Sequence, residues 1–252
     1  MKNLKGFLLP TLLIALWGVL AFSGRWSSYI LPPPSQVLES AGELLASGVL
    51  WKNIWVSLAR VVGGFSLAFI FALPLAIWLG RNPKLTPWVG PTLEFFRHTP
   101  PLALIPIFIL WLGIGEATKL AIIVMASFFP LFLNAENGVR RTDYKLVEVG
   151  KSLGFSNSKI LKRIVLPAAL PSILLGMRLG LGYSWRALIG AEMVAASSGL
   201  GYLILDAEQM SRPDVVIVGI FAIGILGTLM DGAFHWLYSR LIPWSKEERV
   251  DE

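Results

Sequence analysis

Residues 144–173 read YKLVEVGKSLGFSNSKILKRIVLPAALPSI, a basic, amphipathic stretch inside an otherwise apolar chain. Lys145, Lys151, Lys159, Lys162 and Arg163 stand against one carboxylate, Glu148. The pattern predicts a helical run up to Leu153, broken at Gly154, which can adopt the left-handed conformation that a Cβ disfavours. Ser156 is placed to cap a second helix, its hydroxyl accepting from exposed backbone N–H groups. In that helix Ile160, Leu161, Ile164 and Val165 share one stripe, and Lys159, Lys162 and Arg163 lie off it. Leu166-Pro167 is expected to end it, because proline disfavours helix in the residue before it. The product is a short helix–turn–helix knuckle.

The surrounding chain decides what this knuckle interrupts. Of 252 residues, 55% are hydrophobic and 15% charged, against roughly 25% charged in soluble domains. Long uncharged runs mark an integral membrane protein. The net charge of +6 gathers in alternate loops, so membrane topology explains it better than nucleic acid, and no nucleic-acid partner is expected. There is no cysteine, which excludes disulfides and thiolate metal sites.

Six spans are predicted, at about 7–22, within 54–79, and at 95–112, 118–137, 169–195 and 215–238. The first follows Lys2 and Lys5 as a signal peptide would, but lacks a clear small-x-small cleavage site, so it reads as a retained span. Leu31-Pro32-Pro33-Pro34 cannot be regular helix. Ser35 then reads as the cap of an amphipathic helix over 36–45, with Val37, Leu38, Leu44 and Leu45 as its apolar positions. Pro74 can kink the second span. Pro100, Pro101 and Pro106 make the third irregular, so its backbone is expected to face protein or a water-filled path. Gly113-Ile114-Gly115 is a tight turn, and 200–205 is an apolar island suited to a re-entrant or interfacial helix.

Lys2 and Lys5, Arg81 and Lys84, seven basic residues between 140 and 163, and Arg240, Lys246 and Arg249 all fall on one side of these spans. That side is expected to be cytoplasmic, with both termini and the knuckle on it. Trp17, Trp26, Trp51, Trp55, Trp78, Trp88, Trp236 and Trp244 mostly sit near proposed span ends, as an interfacial belt requires. No repeat appears, and residues 1–252 read as one membrane domain, with a core at about 54–241 and the knuckle at 143–167.

The chain has no G-x-x-x-x-G-K-[ST] loop to cradle nucleotide phosphates. His98 and His235 are the only histidines and nothing pairs them; neither a metal site nor a convergent catalytic set is expected. Charges in and near the spans are more informative. Arg97 and His98 precede Thr99-Pro100-Pro101, with Glu94 one turn earlier. Arg97 either pairs with Glu94 or lines a path and favours an anion. Arg178, Arg186 and Glu192 lie in the fifth span, where charges usually face a bundle interior or cavity. Arg186 and Glu192 either pair with each other or a neighbour, or touch a solute or gate. Gly176, Gly180, Gly182 and Gly190 allow close helix packing there.

Glu148, Val149, Gly150, then Gly154, then Ile164-Val165-Leu166-Pro167 resemble the cytoplasmic "EAA" loop of binding-protein-dependent ABC importer permeases, with Val149 and Gly150 in place of its two alanines. Leu31-Pro32-Pro33-Pro34-Ser35, Thr99 to Pro106, Trp111 to Gly115, Trp185-Arg186 through Ala191-Glu192-Met193, and Ser197 to Gly201 are similar to the nitrate/sulfonate/taurine branch of that family. The resemblance implies an all-α integral membrane fold of type I importer architecture, six transmembrane helices with a cytoplasmic coupling-helix loop between spans four and five. It implies a homodimer of permeases in lipid, two ABC ATP-binding subunits, and an extracytoplasmic solute-binding protein, in a cell inner membrane. ATP and Mg would sit on the ATPase; this chain would hold no cofactor and would not be an enzyme.

Glu148, Gly154, Phe155, Ser156, Leu166 and Pro167 become candidates for ATPase coupling. Arg97, His98, Pro100, Pro101, Arg186 and Glu192 become candidates for the translocation path. The implied cargo is a small oxyanion such as an aliphatic sulfonate, taurine or nitrate. Two alternatives stand: import of a vitamin precursor (a thiamine pyrimidine or riboflavin), and a stand-alone secondary transporter, which would need ion-coupling groups near the midplane.

Overall fold

The computed structural model describes residues 2–242, with side chains from Leu8 onward. The side chains of Lys2 and Lys5, together with Trp244, Lys246, Arg249 and the polar tail 245–252, lie outside the described residues. Every regular element among the described residues is helical: α1 (Lys2–Phe22), α2 (Pro34–Ala46), α3 (Val49–Arg81), α4 (Thr86–His98), α5 (Ile105–Leu112), α6 (Glu116–Arg140), α7 (Tyr144–Ser152), α8 (Asn157–Ile160), α9 (Leu166–Ala195), α10 (Leu200–Gln209) and α11 (Pro213–Leu241), with 3₁₀ turns at Pro83–Leu85 and Pro101–Leu104. Four helices are long and apolar enough to cross a membrane: α3, α6, the continuous run Asn157–Ala195, and α11. A fifth span results if the bent pair Pro83–His98 and Pro101–Leu112 is counted as one. Leu8–Phe22 of α1 is apolar but shorter.

Contacts divide the described residues into two compact units, those up to 58 with 192–226, and 59–191 with 227–242. In the first, Trp17 is not at a helix end, as a belt residue would be, but inside α1. Its indole N–H donates to the Pro32 carbonyl at 3.1 Å, and its ring stacks on Phe221 at 6.3 Å. Ser35, the expected cap of α2, sits in the first turn instead: Pro33 holds the cap position without a side-chain bond, and Pro34 opens the helix. Proline suits that place because its φ is already helical and it has no N–H to leave unsatisfied. Val37 and Ser40 are buried while Leu38 is exposed. The Ser40 hydroxyl donates to Asp214 at 2.5 Å, and Arg212 reaches the same carboxylate oxygen at 2.9 Å, which ties α2 to the start of α11.

In the second unit, Leu131, Phe132, Ala135, Ile160, Val165, Ala169 and Ile173 share one buried core with Ala68, Ala72 and Ala76. Helices α6 and α9 meet at small residues. A Cβ on Gly138 would lie 3.0 Å from the Ala169 carbonyl, and one on Gly176 would lie 3.0 Å from the Pro130 carbonyl. No side chain fits there without moving backbone, so the glycines set the helix separation.

Helix α3 starts at Val49, earlier than the sequence pattern suggests, and carries Arg60 inside it. The third hydrophobic stretch is broken as its prolines require. Thr99 and Pro100 are extended, and the two arms bend by 87°. Leu166-Pro167 does not end the second knuckle helix. The chain passes through a π-turn at Leu161–Val165, closed by the Leu166 N–H on the Leu161 carbonyl, and continues to Ala195. A proline in a helix loses one hydrogen bond and crowds the carbonyl four residues back. The wider turn falls where that crowding occurs, so the helix absorbs Pro167 without stopping.

Candidate functional site

Three places carry the residues singled out by sequence. The knuckle is the most regular. Asp143 caps α7, its carboxylate accepting from the Lys145 N–H at 2.9 Å. The helix closes with the Gly154 N–H on the Lys151 carbonyl (2.9 Å) and the Phe155 N–H on the Gly150 carbonyl (3.0 Å). That paired closure needs a left-handed residue, and Gly154 supplies it at φ +72°. Ser156 then caps α8 by accepting from the Lys159 N–H at 3.3 Å. Gly150, standing where the motif has alanine, is buried, and a Cβ on it would meet the tip of Ile164 at 2.7 Å. The two knuckle helices are therefore seated closely on each other.

Between them lies a groove of about 430 Å³, lined by Leu146, Val149, Leu153, Phe155, Ile164 and Pro167 among others. Leu146, Val149 and Leu153 are exposed along one side of α7, and Tyr144 is exposed at its start. Lys159 sits over the Phe155 ring at 3.8 Å. Glu148 is exposed. Leu166 is half-buried and packs on the core of the second unit. The knuckle thus presents an apolar patch with a basic border.

The second place is a cavity of about 540 Å³ in the same unit. Arg97, Pro100, Pro101 and Arg186 line it together with Tyr183 and Asn134; the rest of the wall is largely apolar. The broken 98–101 segment supplies one wall because the two extended residues turn the prolines inward. Arg97 is paired with Glu94 at 2.7 Å. His98 lies against the same carboxylate at 3.4 Å and is not among the lining residues. Arg186 stands over Tyr183, 5.9 Å from the ring centre. Among the described residues, no carboxylate lies within ion-pair distance of Arg186.

Glu192 is elsewhere, fully buried in the first unit. Its carboxyl oxygens accept from the Ser57 hydroxyl, both at 2.9 Å, and one accepts from the Gly201 N–H at 3.0 Å. Ser57 in turn accepts from the Leu200 N–H at 2.9 Å, and Asn53 accepts from the Gly199 N–H at 2.7 Å. These bonds satisfy the free N–H groups at the start of α10. Sequence reading missed Asn53 and Ser57. Their spacing of four on α3 marks one helix face, but nothing local names the partner. One turn apart within α10, Tyr202 donates to Asp206 at 3.2 Å, and that carboxylate raises the phenol's pKa.

The chain also matches known proteins along most of its length. Residues 64–243 match the binding-protein-dependent transport system inner membrane component. The chain belongs to that family. A putative aliphatic sulfonates transport permease protein from Bacillus subtilis is 39% identical over 96% of this chain and 87% of its own length. A taurine transport system permease protein from Escherichia coli is 36% identical over 93% and 87%. A bicarbonate transport system permease protein from Synechococcus elongatus is 33% identical over 94% and 90%. Among solved structures, an inward-facing MetNI methionine ABC transporter chain superposes with TM-score 0.67 at 20% identity, covering 77% of this chain and 96% of that one. At that identity the likeness concerns the fold. The chain is thus a multi-pass membrane permease of the ABC importer class.

Proposed function

We propose that this chain is the membrane subunit of an ATP-driven importer that moves a small oxyanion, such as an aliphatic sulfonate, taurine or nitrate, into the cytoplasm. The observation that carries the reading is the knuckle. Its exposed apolar side, on a segment otherwise rich in lysine, has the form of a docking surface for another protein. Residues 143–167 are the coupling loop. Glu148 meets a basic residue of the ATPase, the groove at Leu146, Val149 and Phe155 receives its surface, and the Gly154 and Ser156 caps keep the knuckle rigid. Leu166 and Pro167 join that knuckle to α9 without a hinge, because the helix is continuous. Closure of two ATPases would therefore move α9 directly.

In this reading α1 is the first of six spans, both termini are cytoplasmic, and residues 1–252 act as one permease domain. Two copies enclose the path, and an extracytoplasmic binding protein delivers solute. ATP and Mg belong to the ATPase. The relatives named for sulfonates, taurine and bicarbonate support an oxyanion over a vitamin precursor.

The test is purification of the chain from its own membranes in mild detergent, with mass identification of what accompanies it. The expected companion is an ATPase with a phosphate-binding loop at equal stoichiometry, lost with Gly154→Trp. A lone homo-oligomer that moves solute without ATP would overturn the reading in favour of a secondary transporter.

A further inference from the structure

We propose that Arg186 is the anion-binding residue of a solute subsite on the wall of the 540 Å³ cavity, taking the negatively charged head of a small sulfonate, nitrate or carboxylate-type anion. The proposal rests on the permease reading above and names the site within it.

The arginines in and near the spans differ in what holds them. A guanidinium inside a membrane span is costly unless paired or in contact with water. In this chain Arg60 is held by Glu116 at 2.6 and 2.8 Å. Arg178 is held by Asp231 at 2.7 and 2.8 Å. Arg97 is held by Glu94 at 2.7 Å. Arg186, on the membrane-spanning helix α9, has an aromatic ring beneath it and, among the described residues, no carboxylate within ion-pair distance. It also borders the cavity.

The Tyr183 ring beneath holds the cation in place through its π face without neutralising it. The fork of N–H donors therefore remains available for a planar or tetrahedral oxyanion, which it can grip with two bonds. Around it, Leu102, Met125, Phe129 and Leu133 give an apolar wall that suits an alkyl chain. The cavity volume falls in the range of about 300–1,000 Å³ usual for small-molecule sites. Arg97 lines the same space, but its charge is offset by Glu94, so Arg186 carries the net positive charge.

The experiment uses the full complex with its ATPase and binding protein in proteoliposomes, with taurine, ethanesulfonate, nitrate and bicarbonate as labelled probes. At least one probe should enter with ATP. Arg186→Gln should slow that uptake about 10- to 100-fold, the worth of one charge-assisted hydrogen-bonded contact. Arg186→Lys should recover part of it, with ATP hydrolysis and monodisperse elution kept in both variants. Uptake by Arg186→Gln equal to the unmodified complex would overturn the proposal. So would loss of assembly in Arg186→Gln restored by Arg186→Lys, because Arg186 would then be pairing with an acid of another subunit. ATP-driven import of a neutral compound and of none of the four anions would overturn the anion site and leave the permease reading standing. Absence of any ATPase from the complex would remove both.

Discussion

The Ser57 hydroxyl lies 2.9 Å from each carboxyl oxygen of Glu192, 135 residues away in the chain, and accepts the N–H of Leu200 at the same distance. One serine thus joins α3, the end of α9 and the start of α10. All three groups are buried, so removing the serine hydroxyl takes the acceptor from the Leu200 N–H and one donor from Glu192, which keeps the Gly201 N–H. Ser57→Ala should cost about 1–3 kcal/mol, the penalty for a buried donor or acceptor left unsatisfied. Gly199→Ala should be worse. Gly199 has φ +114°, and a Cβ there would run into the Glu192 carboxyl group. Thermal unfolding of the detergent-solubilised protein should rank the midpoints unmodified chain, Ser57→Ala, then Gly199→Ala.

Gly154 allows a finer test of the knuckle. A Cβ at this position meets nothing within 4 Å, so small substitutions are opposed only by the backbone at φ +72°. Gly154→Ala should cost about 1–2 kcal/mol, the penalty for a left-handed residue with a side chain. The variant should assemble with the ATPase but transport less per ATP hydrolysed. Gly154→Trp adds bulk at the proposed contact and should lose the ATPase altogether. The ratio of uptake to hydrolysis in proteoliposomes, measured for both variants, checks this. Equal ratios for Gly154→Ala and the unmodified chain would show that the turn's rigidity is not used.

These two sites differ in how far the sequence revealed them. Gly154 and Ser156 act on residues within five positions, through turn and cap rules that depend on local backbone geometry alone. They were readable as letters. The Pro100-Pro101 break was readable for the same reason, since each proline constrains its own predecessor. Ser57 and Asn53 were not readable, because their partners lie 135 and 146 residues away and polar side chains on an apolar helix do not announce what they meet. Pro167 misled for a different reason. The rule that proline ends a helix assumes an α-turn before it, and the π-turn at Leu161–Val165 removes that assumption. The cavity was legible only as scattered candidates: Arg97, Pro100, Pro101 and Arg186 line it, whereas Glu192, similar on paper, belongs to the polar junction of the first unit.

The close meeting of α6 and α9 should tolerate little. Gly176→Leu would drive a side chain into the Pro130 and Leu131 carbonyls, which are backbone and cannot rotate away. Overpacking of this kind typically costs about 1–3 kcal/mol or more. Gly182→Leu, where a Cβ meets nothing within 4 Å, is the control on the same helix. Size-exclusion chromatography after solubilisation should show aggregated material for Gly176→Leu and a single peak for Gly182→Leu. A single peak for both would mean that α6 and α9 are not packed at Gly176.

The ion pairs should not contribute equally. Glu116 accepts from Arg60 and from Lys119, each at 2.6 Å at its closest, and both cations are almost completely buried, with side-chain exposures of 6% and 3%. Glu116→Gln would therefore take a shared carboxylate from two nearly buried cations. The carboxylate itself is 61% exposed, so the cost should be nearer that of losing charged hydrogen bonds, about 1.5–3 kcal/mol. Asp231→Asn breaks a pair whose members are 39% and 54% exposed, so Arg178 keeps access to other solvating groups and the loss should be smaller. Folded yield and thermal midpoint should fall sharply for Glu116→Gln and modestly for Asp231→Asn. The double change Glu116→Gln with Lys119→Met, which removes one of the two cations and keeps the apolar stem, should recover part of the loss. If Asp231→Asn proved the more damaging, burial of the cations could not be what sets the strength of these pairs.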